Sequence, residues 1–214
     1  MISISAMRWV PEFAQGYVKD LRVRWALEEA GLPYAVRLQT QADRAMAEYR
    51  TWQPFGQVPA FEEDGLRLFE SGAIVLHIGA RSEALLPTDA HARAKAVQWL
   101  VAALNSIEPF TAHLAAIDGP FRDETWAQLR RQSLSETVRH RLDALSQALG
   151  DKTFLDGDRF TAGDLVMTTV LRDLDNNELL TGNECLAAYV ARCMARPAFE
   201  RAHAAQIADF NEAA

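Results

Sequence analysis

The sequence predicts an α/β domain followed by an all-helical domain. Three observations carry this. The first eighty residues mix short apolar segments with Gly and Pro. Beyond residue 90 the chain turns into long runs of Ala, Leu, Arg and Glu. Between them, Arg81 to Ala90 holds Pro87 and Asp89 and reads as a linker. The expected division is 1–80, a linker at 81–90, and 91–214.

Ile2 to Met7 alternates apolar with small polar residues, which suits a strand. An irregular stretch from Arg8 to Lys19 follows, with Pro11 and Gly16 in it. Asp20 is expected to cap the next helix, where Val23, Ala26, Leu27 and Ala30 recur at helical spacing and Gly31 ends the run. Pro33 and Tyr34 lead to a strand at Ala35 to Leu38, and a single polar helix is expected near Ala42 to Tyr49. Pro59 cannot donate to a sheet ladder, and strand pattern resumes just after it. Asp64-Gly65 is a hairpin signal, Leu66 to Phe69 the return strand, and Glu70-Ser71 opens a helix over about Gly72 to Ala80.

In the second part, Ala94, Val97, Val101 and Leu104 form one expected apolar stripe. Leu134, Val138, Leu142, Leu145 and Leu149 form another, and Gly150 and Asp156-Gly157-Asp158 interrupt the pattern. Thr161 with Asp164 is a capping box in acidic form, preceded by Phe160 as a staple, and starts a helix running to about Leu174. Helices near Glu184 to Met194 and Pro197 to Ile207 close the chain, Pro197 serving as a first helical residue.

Composition removes several function classes. The 214 residues carry 22 Lys and Arg against 29 Asp and Glu, a formal charge of −7. An acidic chain is a poor sequence-independent nucleic-acid binder and a poor membrane-surface binder. No run approaches the length of uninterrupted apolar residues that a spanning helix needs, and the N-terminus does not read as a signal peptide. A cytoplasmic location is therefore expected. Cys185 and Cys193 are too few for a disulfide framework or an all-cysteine zinc site. The five histidines are too scattered for a local metal motif, so no metal is expected.

Four motifs, in this order and spacing, resemble the glutathione S-transferase superfamily of cytosolic type. Arg22-Val-Arg-Trp-Ala-Leu-Glu-Glu-Ala-Gly31-Leu-Pro-Tyr34 is similar to that family's first helix and the approach to its second strand. Gln53-Pro-Phe-Gly56-Gln-Val58-Pro59 is similar to its cis-proline loop, and Leu68-Phe-Glu70-Ser71-Gly-Ala-Ile74 to its fourth strand and glutathione-carboxylate loop. Phe160-Thr161-Ala-Gly-Asp164 resembles its capping motif, with Arg196-Pro197-Ala-Phe199 as the tail. The resemblance implies a thioredoxin-like first domain, β-α-β-α-β-β-α with a mixed four-stranded sheet. It also implies glutathione as co-substrate and a homodimer.

What the resemblance implies residue by residue is as follows. Val58 offers N–H and C=O to the cysteinyl part of glutathione, ahead of a cis bond to Pro59; alternatively Pro59 only shapes the start of a strand. Ser71 binds the γ-glutamyl carboxylate and Glu70 the amino end, at a helix start that favours anions; alternatively Ser71 is an N-cap and Glu70 a solvated acid. Gln53 or Gln57 reaches the glycyl end. The family activates the thiol, whose free pKa is about 8.5, with Tyr, Ser or Cys in the loop after strand one. Here that loop has no Ser or Cys, and Ser3 and Ser5 fall inside the strand.

Tyr17 is the only hydroxyl in the loop and is the expected catalytic residue; alternatively it is an aromatic plug. Lys19, near where a cysteine-type member carries its cysteine, can lower the thiol pKa by direct attraction, as can Arg22 or Arg24. Trp9 and Phe13 from the loop, and Phe110, His113 and Arg172 from the helical part, are candidate contacts for the second substrate; each can equally be packing. The leading expectation is transfer of glutathione thiolate to a small apolar electrophile. The alternatives are a non-catalytic binding or protein-interaction module of the same fold, and a glutathione-dependent isomerase or ether-cleaving enzyme.

Overall fold

The structure is a computed structural model, described over residues 1–212. Residues 213 and 214, the end of the expected 91–214 domain, lie outside the described residues. The chain forms two compact units, Met1–Leu86 together with the segment from Arg196 on, and Pro87–Ala195. Helix α11 (Pro197–Glu212), which the sequence pattern counts with the helical part, thus belongs to the first unit. Linear texture cannot show this, because α11 is as Ala-rich as the helices before it. What places it is packing against α1 (Asp20–Ala30).

The first unit is a thioredoxin-like layer built as expected. β1 (Ile2–Met7), β2 (Tyr34–Gln39), β3 (Ala60–Glu63) and β4 (Leu66–Phe69) form a mixed sheet in the order β2-β1-β3-β4. β1 pairs parallel with β2, and β3 pairs antiparallel with both β1 and β4. Ile4, Phe61 and Ala6 point into a core shared with Val23, Leu27, Ile74 and Ile78, all buried. Gly31 ends α1 at φ 65°, where a side chain would be strained. α4 (Ser71–Gly79) follows β4.

Two local expectations need correction. Asp20 does not cap α1. Lys19 occupies the N-cap position, and Asp20, the first helical residue, is fully buried with its Oδ2 2.8 Å from Arg24 Nε. Burial of Arg24 demands a counter-charge inside the fold, and Asp20 one helical turn away supplies it. Asp209 of α11 is a second partner of the same guanidinium. The helix expected at Ala42 to Tyr49 is instead two short ones, α2 (Gln41–Ala45) and α3 (Ala47–Trp52), broken at Met46 with ψ 143°. Thr40 and Asp43 close a capping box over α2. The Arg44 carbonyl accepts from Arg50 Nε at 3.1 Å rather than continuing a ladder.

The second unit is helical: α5 (Ala90–Ala102), α6 (Glu108–Asp118), α7 (Thr125–Leu149), α8 (Ala162–Leu171), α9 (Glu178–Thr181) and α10 (Glu184–Met194). A π-helical turn at Ala103–Ile107 joins α5 to α6, and a 3₁₀ turn at Arg172–Leu174 ends α8 earlier than expected. The α7 stripe is buried as read from the sequence. The α5 stripe is not: Ala96, Leu100, Ala103 and Ile107 are buried while Val101 is 43% exposed. Ala and Val surround this helix, so spacing alone does not select a face. Contact with α8 does, at Gly163, where a Cβ would lie 2.6 Å from Trp99 Cβ. The continuous helix Ala90–Asp118 is long and apolar enough to cross a bilayer by length and composition, although polar residues interrupt its apolar ones. Its buried face packs on α8.

Candidate active site

The sheet register brings the expected ligand-binding segments to one end of the first unit. β3 enters the sheet at Ala60, which pairs with Phe69, the last residue of β4. Pro59 and Glu70 are therefore the next residues outward on neighbouring strands. β1 runs antiparallel to β3, so its C-terminal end and the loop after it emerge at the same edge. The Val58–Pro59 bond is cis, as the resemblance implies.

The loop before Pro59 is held by side chains around it. Gln53 is buried, and its Oε1 accepts from the backbone N–H groups of Phe55 at 2.7 Å and Gln57 at 3.2 Å. Its side chain thus organises the loop, leaving Gln57 as the exposed glutamine of the pair. An Arg44 guanidinium N–H donates to Gly56 O, and one from Arg50 to Pro54 O, each at 2.8 Å. Tyr49 donates its hydroxyl to Gln57 O at 2.6 Å. Burial raises the Tyr49 pKa above its ordinary value, so the phenol stays protonated. Within this loop Val58 is half-buried, and neither its N–H nor its C=O is used by another described residue. A main-chain donor and acceptor left open side by side form a strand-like edge for an extended peptide.

Glu70 and Ser71 follow the end of the neighbouring strand, β4. Glu70 has φ 67° and ψ 113°, a conformation that costs a non-glycine residue on the order of 1–3 kcal/mol. Glu70 occupies the N-cap position of α4 and Ser71 the first helical position, so Ser71 is not the cap. The Ser71 hydroxyl is buried and accepts from a guanidinium N–H of Arg22 at 3.2 Å. A hydroxyl whose oxygen accepts from a cation keeps its proton to donate. With the first N–H groups of α4, it makes a place for a carboxylate.

The remaining candidates lie as follows. Trp9 (61% exposed), Phe13 (72%) and Tyr17 (39%) sit on the loop between β1 and α1. Lys19 is exposed at the start of α1, whereas Arg22 and Arg24 are buried, Arg22 against Ser71 and Arg24 between Asp20 and Asp209. Phe110, His113 and Arg172 belong to the second unit. The Arg141 guanidinium lies 4.1 Å over the Phe110 ring, and His113 lies 6.2 Å from the Trp126 ring. Arg172 is buried with Nε 3.5 Å from Asp175. Among the described residues no cluster of three or more His, Cys, Asp or Glu side chains could hold a metal ion. Sequence reading missed Ser5, Tyr49 and Gln53 as the frame of the loop. Only a polar residue in the middle of an apolar strand, Ser5, signalled it.

Residues 16–80 match the family described as glutathione S-transferase, N-terminal domain, and residues 98–192 its C-terminal domain. The chain is 29% identical over 197 residues to a glutathione S-transferase of Hyoscyamus muticus, covering 85% of this chain and 91% of that one. It is 29% identical over 167 residues to glutathione S-transferase F14 of Arabidopsis thaliana, covering 70% of this chain and 63% of that one. Among solved structures, glutathione transferase F7 of Populus trichocarpa shares the fold with a TM-score of 0.83 at 21% identity, over 97% of this chain and 99% of that one. A theta-class glutathione S-transferase of Xanthomonas axonopodis pv. citri with glutathione bound has a TM-score of 0.78 at 25% identity, over 94% of this chain and 96% of that one. The chain belongs to the glutathione S-transferase family.

Proposed function

We propose that this protein binds glutathione along the segment ahead of Pro59 and transfers its thiolate to a small apolar electrophile. The single observation that carries this is the open N–H and C=O of Val58, next to a strand end beside which Glu70 and Ser71 emerge, while the carbonyls of Pro54, Gly56 and Gln57 before it are each taken by a side chain. Val58 pairs with the cysteinyl main chain. Ser71 and the start of α4 take the γ-glutamyl carboxylate, and the exposed Glu70 carboxylate takes the amino group. Gln57 meets the glycyl end. Tyr17 donates its hydroxyl to the thiolate, Lys19 adds positive charge, and Trp9 and Phe13 offer exposed rings to the electrophile. Catalysis then comes from proximity and a lowered thiol pKa. The family resemblance and the acidic charge support a cytoplasmic homodimer with no nucleic-acid or membrane partner.

The test is glutathione binding followed by an electrophile panel on the wild type, Ser71→Ala and Tyr17→Phe. Ser71→Ala should raise the glutathione Kd about tenfold, the scale of one hydrogen bond to a charged group. Tyr17→Phe should lower turnover more than it lowers affinity. No binding at millimolar glutathione would leave the non-catalytic module as the better reading.

A further inference from the structure

Ser5 and Tyr49 have no role in binding or chemistry so far, yet both are buried polar residues meeting at 2.7 Å between a strand and a helix. Their bonds can be directed one by one. The Ala60 N–H donates to Ser5 Oγ at 2.8 Å, and Tyr49 donates its only proton to Gln57 O at 2.6 Å. Tyr49 therefore has no proton left for Ser5, and the Ser5 hydroxyl donates to the Tyr49 oxygen. The result is one directed chain, Ala60 N–H to Ser5 to Tyr49 to Gln57 C=O. It clasps the residues on either side of Val58 and Pro59. Its last bond falls on the carbonyl of the Gln57–Val58 peptide, whose N–H is the Val58 donor. Drawing electron density toward a peptide oxygen strengthens the N–H on the other side of the same amide, and successive bonds in a chain polarise one another.

We propose that Ser5 and Tyr49 are positioning residues for glutathione, acting through the Gln57–Val58 peptide to orient and strengthen the Val58 N–H. The proposal rests on the glutathione reading above. It assigns Tyr49 an effect on affinity with none on the chemical step, because both hydroxyls are buried and already bonded within the chain. The rest of the loop frame leaves the relay this specific job: Gln53, Arg44 and Arg50 bond other atoms of residues 54 to 57.

The test uses the full chain and S-methylglutathione as a non-reacting probe, titrated by calorimetry, with Tyr49→Phe, Ser5→Ala, the double variant and Trp52→Phe. Trp52 donates from Nε1 to Phe61 O at 2.9 Å and packs edge-on against Tyr49, so Trp52→Phe loses a comparable bond in the same core, keeps an aromatic ring beside Tyr49 and removes none of the relay's hydrogen bonds. Tyr49→Phe and Ser5→Ala should each raise Kd about fivefold. The double variant should exceed the larger single effect by less than about twofold, because both cut one chain. kcat at saturating glutathione should stay within about twofold of wild type while KM rises, and the Val58 amide proton should move upfield in the free Tyr49→Phe protein. Should Tyr49→Phe fail to fold, Ser5→Ala carries the same comparison. An unchanged Kd in these variants while Ser71→Ala weakens binding overturns the relay and leaves the binding mode standing. An equal loss in Trp52→Phe overturns it as well, showing general loosening. Absence of probe binding by the wild type overturns both the relay and the reading beneath it.

Discussion

Replacing Asp164 by Ala should destabilise the second unit without altering chemistry. Asp164 is fully buried. Its Oδ1 accepts from Leu155 N at 2.8 Å and from the Tyr189 hydroxyl at 3.0 Å. Its Oδ2 accepts from Thr161 N at 2.9 Å and Thr161 Oγ1 at 3.0 Å. Truncation leaves the two backbone N–H groups and the buried phenol without their acceptor, and each such group costs about 1–3 kcal/mol. Against that stands the cost of keeping a carboxylate inside. Burial raises the Asp164 pKa above its ordinary value even though four donors pull it down. Removing the charge recovers some of that cost, which brings the net loss to about 3–4 kcal/mol, toward the lower end of the summed range. Thr161→Ala, which removes the cap hydroxyl and a methyl group but leaves the carboxylate in place, should cost about 1 kcal/mol. Urea unfolding followed by far-ultraviolet circular dichroism measures both; with a slope of about 3 kcal/mol/M, Asp164→Ala shifts the midpoint by about 1 M. Turnover per folded molecule should stay within about twofold. A loss below about 1 kcal/mol for Asp164→Ala, or an equal loss for the two variants, would refute the reasoning.

Two further outcomes follow from buried titratable groups. Burial pushes the Cys193 thiol up to about 12, and its side chain is fully covered, while Cys185 is half-buried. A disulfide reagent at pH 8 should therefore titrate Cys193 only after denaturation, and equal native rates for the two thiols would contradict this. Tyr34 is pushed up to about 12 from 10, chiefly by burial, with Glu28 adding to the shift and Arg24 opposing it. The folded chain holds that proton more tightly than the unfolded one. The stability gained is full below about pH 10 and is lost as the pH climbs toward 12. Tyr34→Phe should flatten the fall of the melting temperature across that window; an unchanged slope would rule out this linkage.

Much of the fold was legible from residue order because its signals are local. Asp64-Gly65 marks its hairpin, Gly31 its helix end, and Thr161 with Asp164 its capping box, each through chemistry within a few residues. The motif Gln53 to Pro59 marked the cis bond ahead of β3 for the same reason. Signals failed where two segments distant in sequence set the outcome. Asp20 looks like a cap until Arg24 is buried beside it, and the face of α5 is undefined until Gly163 lets α8 approach. Gln53 and Gln57 are alike as residue types, and packing alone turns the first inward to bond the loop. The strained backbone of Glu70, the reach of Arg22 to Ser71 across 49 residues, and the Ser5–Tyr49 bond across 44 have no trace in local pattern. Periodicity and turn chemistry act over one or two turns of chain, and so the elements and their order could be read directly. The direction of each buried hydrogen bond depends on which partners the folded core brings within about 3 Å, and that is a property of the assembled unit.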